Sequence, residues 1–227
     1  MHLVRPCNIC VARDWSACAP LDGAEQKRLV DHRVRRAPGD LRRRRAGRAR
    51  LQCHRRRGEN YKLLQDGRRQ ITGFLFAGDF LGLTYNEAYA DSAEALVPSK
   101  LCCFPRRKLE ALLGQIPKLE QRLLGMASHE PASAQDQIML LGRKSARERV
   151  VSFLLMLSAA AIRHGGRAEP VFLPMSRGDI ADYLGLTIET VSRTLTQLKA
   201  QGLVELLDEK HIRLSRPDAL AEIAGGY

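Results

Sequence analysis

The chain has 227 residues, 44% apolar, 27% charged and 5% aromatic, enough for one large or two ordinary domains with a buried core, so disorder along the whole chain is excluded. The net charge of +12 is local: residues 33–57 hold twelve arginines against the single acid Asp40 and so carry +11 of it. The longest apolar stretch, Val150 to Ile162, is about two thirds of a bilayer-spanning helix, and Met1 to Pro6 opens no secretory apolar run, so the expectation is a cytoplasmic protein with no membrane partner.

From Met1 to Pro20 the pattern is irregular, with Pro6, Pro20 and three cysteines, which reads as a loop awaiting a ligand. Between Tyr61 and Pro105, short apolar runs such as Ile71 to Phe76, Phe80 to Leu83 and Leu101 to Phe104 are separated by Asp66-Gly67 and Ala77-Gly78-Asp79, the rhythm of a small antiparallel barrel or roll. After Pro117, which suits a first helical turn, Leu124, Ala127, Ala134, Ile138 and Leu141 recur at helical intervals. That stripe can seat a partner helix or pack within its own domain, and self-association is the preferred reading. Pro131 interrupts it, and a proline inside a helix costs roughly 3 kcal/mol, so a bend or split is expected there unless packing compensates. A helix burying one face follows from Ala146 to Arg163, ended by Gly165-Gly166.

Ser176-Arg177-Gly178-Asp179 has capping-box spacing, so a helix should start there and run to Gly185, which makes a turn. Thr187 can cap a second helix in which Ile188, Val191, Leu195 and Leu198 face inward, while Glu189, Ser192, Arg193 and Thr196 share the outer face, with Thr190 beside them. Base reading needs such groups near the start of a second helix: Arg bonds guanine bidentately, Glu accepts from cytosine, and Ser suits a phosphate or a base edge. Leu203 to Leu207 and His211 to Leu214, joined across Asp208-Glu209-Lys210, read as a hairpin wing. The same solvated polar face would serve a winged helix used for protein contacts, but the combined pattern favours DNA.

The six cysteines stand at 7, 10, 18, 53, 102 and 103. Cys7, Cys10 and Cys18 put three soft ligands on one loop, and Cys102 or Cys103 at a strand end could add a fourth. Zinc, an iron–sulfur cluster and a loop that binds nothing all remain open on spacing alone.

With these elements in place, the chain resembles the Crp/Fnr family of bacterial transcription regulators, in particular its oxygen-sensing Fnr branch. The resemblance rests on Gln137 to Arg149, Arg177 to Arg193, Gln70 to Phe74 and Ala77 to Asp79, within a likeness reaching from Tyr61 to Gly225. It implies an α+β chain: an N-terminal antiparallel β-roll sensor domain of the cyclic-nucleotide-binding type, a long dimerisation helix and a C-terminal winged helix-turn-helix. The corresponding division is a cluster loop at 1–20, the roll at 21–116, the helix at 117–142 and the DNA-binding domain at 143–227. Glu189, Ser192 and Arg193 match the family's base-reading E-x-x-S-R, which goes with a two-fold TTGAT-like operator, with RNA polymerase as a further partner.

By the same resemblance Cys7, Cys10 and Cys18 look like the N-terminal ligands of a 4Fe-4S cluster, at the cysteine spacing of rhizobial and photosynthetic relatives. Cys102 aligns with the fourth ligand and Cys103 is its alternative. Asp136 falls where the family carries an acid on the dimerisation helix, which implies a weak homodimer that cluster binding tips. Gly82 to Glu87 lack the family's phosphate-binding constellation, so no cyclic nucleotide is expected. The implied function is regulation of low-oxygen genes by oxygen or redox state; the alternatives are a regulator with a cluster-free or non-functional sensor, and a zinc-binding one.

Residues 33–57 depart from the family. Arg42 to Arg50 and Arg55 to Arg57 show no apolar alternation, so two or more roll strands are expected to be missing. A polybasic insertion, a solvated loop and a stretch read out of frame compete, and the abrupt return of family-like sequence at Tyr61 favours the last. Other function classes fare worse. A thiol enzyme on Cys7 and Cys10 lacks a βαβ context, so no enzyme is expected, and a nucleic-acid-coating protein would need aromatics among the arginines of 33–57, where none occurs.

Overall fold

The computed structural model describes residues 32–34, 49–55, 58–76, 79–81, 91–97 and 99–225. The chain forms two compact units, one of residues up to Tyr61 with Phe74–His129, the other of Lys62–Gly73 with Glu130–Tyr227.

In the first unit, strands β1 (His32–Val34), β2 (Ala49–Arg55), β5 (Phe80–Leu81) and β7 (Ser99–Pro105) form an antiparallel sheet in the order β1-β7-β2-β5. Strands β3 (Gly58–Leu63), β4 (Arg69–Leu75) and β6 (Ser92–Ala95) form another sheet in the order β4-β3-β6, of which the stretch Lys62–Gly73 belongs to the second unit. Gly58 is opposite Ala95 in β6, and a Cβ there would stand 3.0 Å from the Glu94 carbonyl oxygen, so glycine permits the strands' close approach. Helix α1 (Arg106–Leu113) supplies Leu109 to a small core with Phe80 and Leu123, against which Leu113 and Leu119 pack.

Two expectations are corrected here. The arginine-rich segment does supply strand: β2 lies within it and pairs with both β5 and β7, and β1 overlaps its start. Ala49, Leu51 and Cys53 alternate with Arg50, Gln52 and His54, a period of two obscured by the flanking arginine runs. The part of the segment from 35 to 48 lies outside the described residues. Helix α2 (Pro117–Arg143) is one element of 27 residues that continues through Pro131, so of the outcomes expected there it is the split that is overturned. A proline removes one N–H and crowds one carbonyl, while the turns on either side keep their own bonds, and Leu123 and Leu140 anchor the helix by burial on both sides of it.

The second unit is built on α3 (Ala146–Arg163), whose Val150, Val151, Phe153, Leu154, Leu157 and Ala160 are buried. Ser145 and Glu148 form a capping box at its start, and Gly165, at φ 73°, turns the chain at its end. Helices α4 (Arg177–Leu184), α5 (Ile188–Ala200) and α6 (Pro217–Ile223) join it, with a sheet ordered β8-β10-β9 made of Val171–Phe172, His211–Leu214 and Val204–Leu206. Among the described residues, no helix is long and apolar enough to cross a membrane.

Candidate nucleic-acid interface

The interface is set by local chemistry at two helix starts. Ser176 and Asp179 close a capping box at the start of α4, each side chain accepting from the other's backbone N–H. Gly185 ends that helix at φ 60°, and the Leu186 N–H reaches back 3.1 Å to the Ala181 carbonyl, a 6→1 closure that turns the chain sharply. Thr187 then caps α5 by accepting from the Thr190 N–H at 3.2 Å.

Arg149 pins this arrangement. Its guanidinium donates to the carbonyls of Leu141, Lys144 and Leu184 at 2.8 to 3.0 Å, gathering the end of α2, the start of α3 and the end of α4 around one cation. Carbonyls at helix C-termini are favourable partners for a positive charge.

On α5, Val191, Thr194, Leu195 and Leu198 are buried, while Glu189, Ser192, Arg193 and Thr196 are exposed and Thr190 half-buried. The expected polar face is thus presented as one surface. Hydrogen bonds from its own backbone N–H and from Thr187 hold the Glu189 carboxyl below the usual glutamate range, so it is ionised and an acceptor at neutral pH. No hydrogen-bond or ion-pair partner among the described residues holds the Arg193 guanidinium. The Thr196 hydroxyl donates to the Ser192 carbonyl at 3.0 Å and the Thr190 hydroxyl lies 3.1 Å from that of Thr187, so both hydroxyls are already engaged within the helix.

Ile188 departs from expectation: assigned to the inner stripe, it is 52% exposed. The first residue of α5 projects past the end of the core, and its terminal methyl lies within ordinary contact of the position a Cβ would take on Gly178. Its place in the first turn beside Glu189 was the signal in the sequence that periodicity overrode.

The wing forms as expected, with Ile212 opposite Leu206 and Leu214 opposite Val204, and Arg213 paired with Glu205. Asp208 accepts from the Lys210 N–H at 2.7 Å and its carboxylate lies 2.9 Å from His211 Nδ1, whose ring stands 5.2 Å from that of Phe172. Strand β8, carrying Phe172, was not expected.

A hairpin from earlier in the chain also joins this unit. Arg69 donates to Asp182 at 2.9 Å and to Asp179 at 2.5 Å, and the side chains of Gln70 and Gln137 both donate to the Tyr183 carbonyl, at 3.3 and 2.8 Å. Burial pushes the Asp179 carboxyl up, but hydrogen bonds from Ser176 and Arg69 outweigh it and hold the group below the ordinary aspartate value. Tyr183 packs its ring 5.5 Å from Phe153, and burial together with the Asp136 charge pushes its phenol up to about 12. Asp136, assigned to the dimer seam, therefore also acts on the first helix of the helix-turn-helix.

Of the remaining seam residues, Leu124 and Ile138 are 63% and 69% exposed, Ala127 and Ala134 are exposed, and Leu141 is half-buried. Cys102 and Cys103 occupy consecutive register positions of β7, opposite Gln52 and Leu51. Cys7, Cys10, Cys18 and the stretch Gly82 to Glu87 lie outside the described residues. Among the described residues no group of three or more His, Cys, Asp or Glu could hold a metal ion.

Residues 148–223 match the Crp-like helix-turn-helix domain and residues 57–115 the cyclic nucleotide-binding domain. The chain is 44% identical over 164 residues to the transcriptional activatory protein AadR of Rhodopseudomonas palustris, covering 71% of this chain and 68% of AadR. It belongs to the Crp/Fnr family. The nitrogen fixation regulation protein FixK of Bradyrhizobium diazoefficiens is 45% identical over 147 residues, 65% of this chain and 62% of FixK, so the chain spans about two thirds of the curated relatives it matches. The solved structure of FixK2 from Bradyrhizobium japonicum superposes with a TM-score of 0.77 at 36% identity, over 84% of this chain and 94% of that one. The fold is thus that of the family, an N-terminal cyclic-nucleotide-binding β domain and a C-terminal helix-turn-helix, and the chain is a Crp/Fnr-type DNA-binding transcription regulator.

Proposed function

We propose that this regulator controls low-oxygen genes as a homodimer on a TTGAT-like palindrome, acting with RNA polymerase and sensing oxygen through a 4Fe-4S cluster. The observation that carries the DNA half is the outward face of α5, where Glu189, Ser192 and Arg193 stand exposed behind a capped first turn. Relatives support the setting: 37% identity over 169 residues links the chain to the fumarate and nitrate reduction regulatory protein of Escherichia coli, and 37% over 166 residues to the transcriptional activator FnrL of Cereibacter sphaeroides.

In this reading the first turns of α5 enter the major groove. Arg193 bonds a guanine with both arms of its fork, Glu189 accepts from a cytosine amine, and Ser192 meets a base edge or phosphate. Ile188 lies against a thymine methyl, the apolar contact that a T-rich half-site offers. Thr190 and Thr196, with hydroxyls engaged inside the helix, border this surface. The exposed residues Leu124, Ala127, Ala134 and Ile138, with Leu141, give α2 a seam for a second copy, which sets two recognition helices about ten base pairs apart. Residues 1–20 form the cysteine loop, 21–116 the sensor, 117–142 the dimerisation helix and 143–227 the reader.

The donor set suits the cluster, because Cys7, Cys10, Cys18 and Cys102 make four soft thiolates, with Cys103 the alternative fourth. When bound, such a cluster supplies an oxygen-labile centre. Cys102 would present its thiolate from a strand paired along its length with β2, while the other three come from one loop.

The test is anaerobic iron–sulfide reconstitution followed by an absorption spectrum, with air then admitted and binding to a TTGAT-type palindrome followed in parallel. A cluster that forms, decays in air and takes specific binding with it supports the reading; Cys102→Ser and Cys103→Ser then decide the fourth ligand. Palindrome binding indifferent to iron, sulfide and air assigns instead a regulator with a cluster-free sensor. Retained zinc with four cysteines protected from alkylation assigns a zinc-binding one.

A further inference from the structure

The hairpin between β3 and β4 belongs, by its contacts, to the DNA-reading unit, although β4 continues unbroken from Arg69 to Leu75 in the sheet β4-β3-β6. Arg69 bonds this hairpin to α4. Its side chain is 24% exposed and its guanidinium reaches two acids one turn apart on α4: Asp179, 4% exposed, and Asp182, 37% exposed. Partners at spacing three lie on one face of a helix, so a planar fork bonded to both fixes the rotation of α4 about its own axis as well as its position. Gln70 adds a bond to the Tyr183 carbonyl on the same helix. Because α4 passes directly through the Gly185 turn into α5, whatever sets the orientation of α4 sets that of the recognition helix.

We propose that Arg69 is a positioning residue for DNA reading: its bonds to Asp179 and Asp182 latch the first helix of the helix-turn-helix to the hairpin that opens β4, and the state of this latch sets operator affinity. The latch joins Arg69, at the start of β4, to α4 within one compact unit. Isolated surface ion pairs contribute little, but here one acid is almost fully buried and would stand without this counter-charge if the arginine left. The proposal rests on the chain's DNA binding and requires neither the cluster nor a particular signal.

The test uses the full chain. Hydrogen exchange is followed for the backbone amides of residues 62–70 and 177–184, and affinity is measured for a duplex carrying the TTGAT-type palindrome. The variants are Arg69→Ala, Asp182→Asn, their combination, and Arg69→Lys. Asp182→Asn keeps the shape of a half-exposed side chain and leaves the capping box intact, so it reports even if Arg69→Ala folds poorly. The expected result is faster exchange in both segments and about a tenfold loss of operator affinity in each single variant, the equivalent of one charge-assisted bond. The double variant is no weaker than the weaker single, and Arg69→Lys, which keeps the charge without the fork, falls between. Unchanged exchange in Asp182→Asn, or losses that add in the double variant, would overturn the latch. If the wild-type chain does not select the palindrome, the operator assignment has failed, and hydrogen exchange alone decides the latch.

Discussion

In the proposed reading Arg193 meets a guanine and Ile188 a thymine methyl, and both contacts can be tested by truncation. If Arg193 bonds a guanine as proposed, Arg193→Ala should weaken operator binding by about 1 to 3 kcal/mol, with preference relaxed at one base pair. A binding-site selection with the variant reads this directly, and equal loss on random DNA would contradict base reading. Ile188→Ala should instead erase discrimination between thymine and uracil at one position, because only the methyl distinguishes them there. Tyr183 makes a separate prediction. Its phenol is raised to about 12 against an ordinary value of 10, so one of the five tyrosines should titrate late in a spectrophotometric titration. The stability this contributes is complete below pH 10 and is lost as pH rises through about 12; Tyr183→Phe should remove that alkaline loss, and Asp136→Asn should bring the titration down. The polar face of α5 could be found from sequence because its chemistry is carried by side chains at helical spacing. Ile188 could not, since an apolar residue in phase with a buried stripe looks buried until the end of the core is known.

Helix starts are the most local of signals, which is why α3, α4 and α5 emerge from the sequence with bounds close to those observed: a cap, a turn glycine and a stripe fix them without reference to the rest of the chain. Strands β6 and β8 escape notice because they are short and pair with partners far away in sequence, and β2 because flanking arginines mask its alternation. Pro131 is a local penalty, and the helix runs on through it with α2 buried on both sides, the compensation by packing that the sequence left open. The cap of α4 carries an acid-stability prediction. Asp179 is held below its ordinary value of 3.8, so its bonds stabilise the fold at neutral pH, and this contribution disappears as pH falls below that value. Thermal unfolding followed from neutral pH to well below pH 3.8 should therefore show an acid limb beneath that value that Asp179→Asn flattens, at the cost of a lower melting temperature at neutral pH. A parallel shift of the whole curve would mean that the carboxylate is not the titrating group.

For the molecule as a whole, charge and recognition are separated along the chain. Residues 143–227 hold twelve lysines and arginines against ten acids, whereas 33–57 hold twelve arginines against one. In the proposed reading the E-x-x-S-R face supplies selectivity with little net charge of its own, while the arginine-rich segment carries charge without interleaved aromatics. Neutralised phosphates release counterions, so binding through that segment should fall steeply with salt and be indifferent to sequence. Replacing Arg42 to Arg45 by glutamine should then lower affinity for random DNA more than for the palindrome. The selectivity ratio rises and the slope of log affinity against log salt becomes shallower by up to about four contacts. Measured by competition at two or more salt concentrations, an unchanged slope would show that these arginines do not meet the phosphates of bound DNA, and that the reader alone accounts for the protein's affinity.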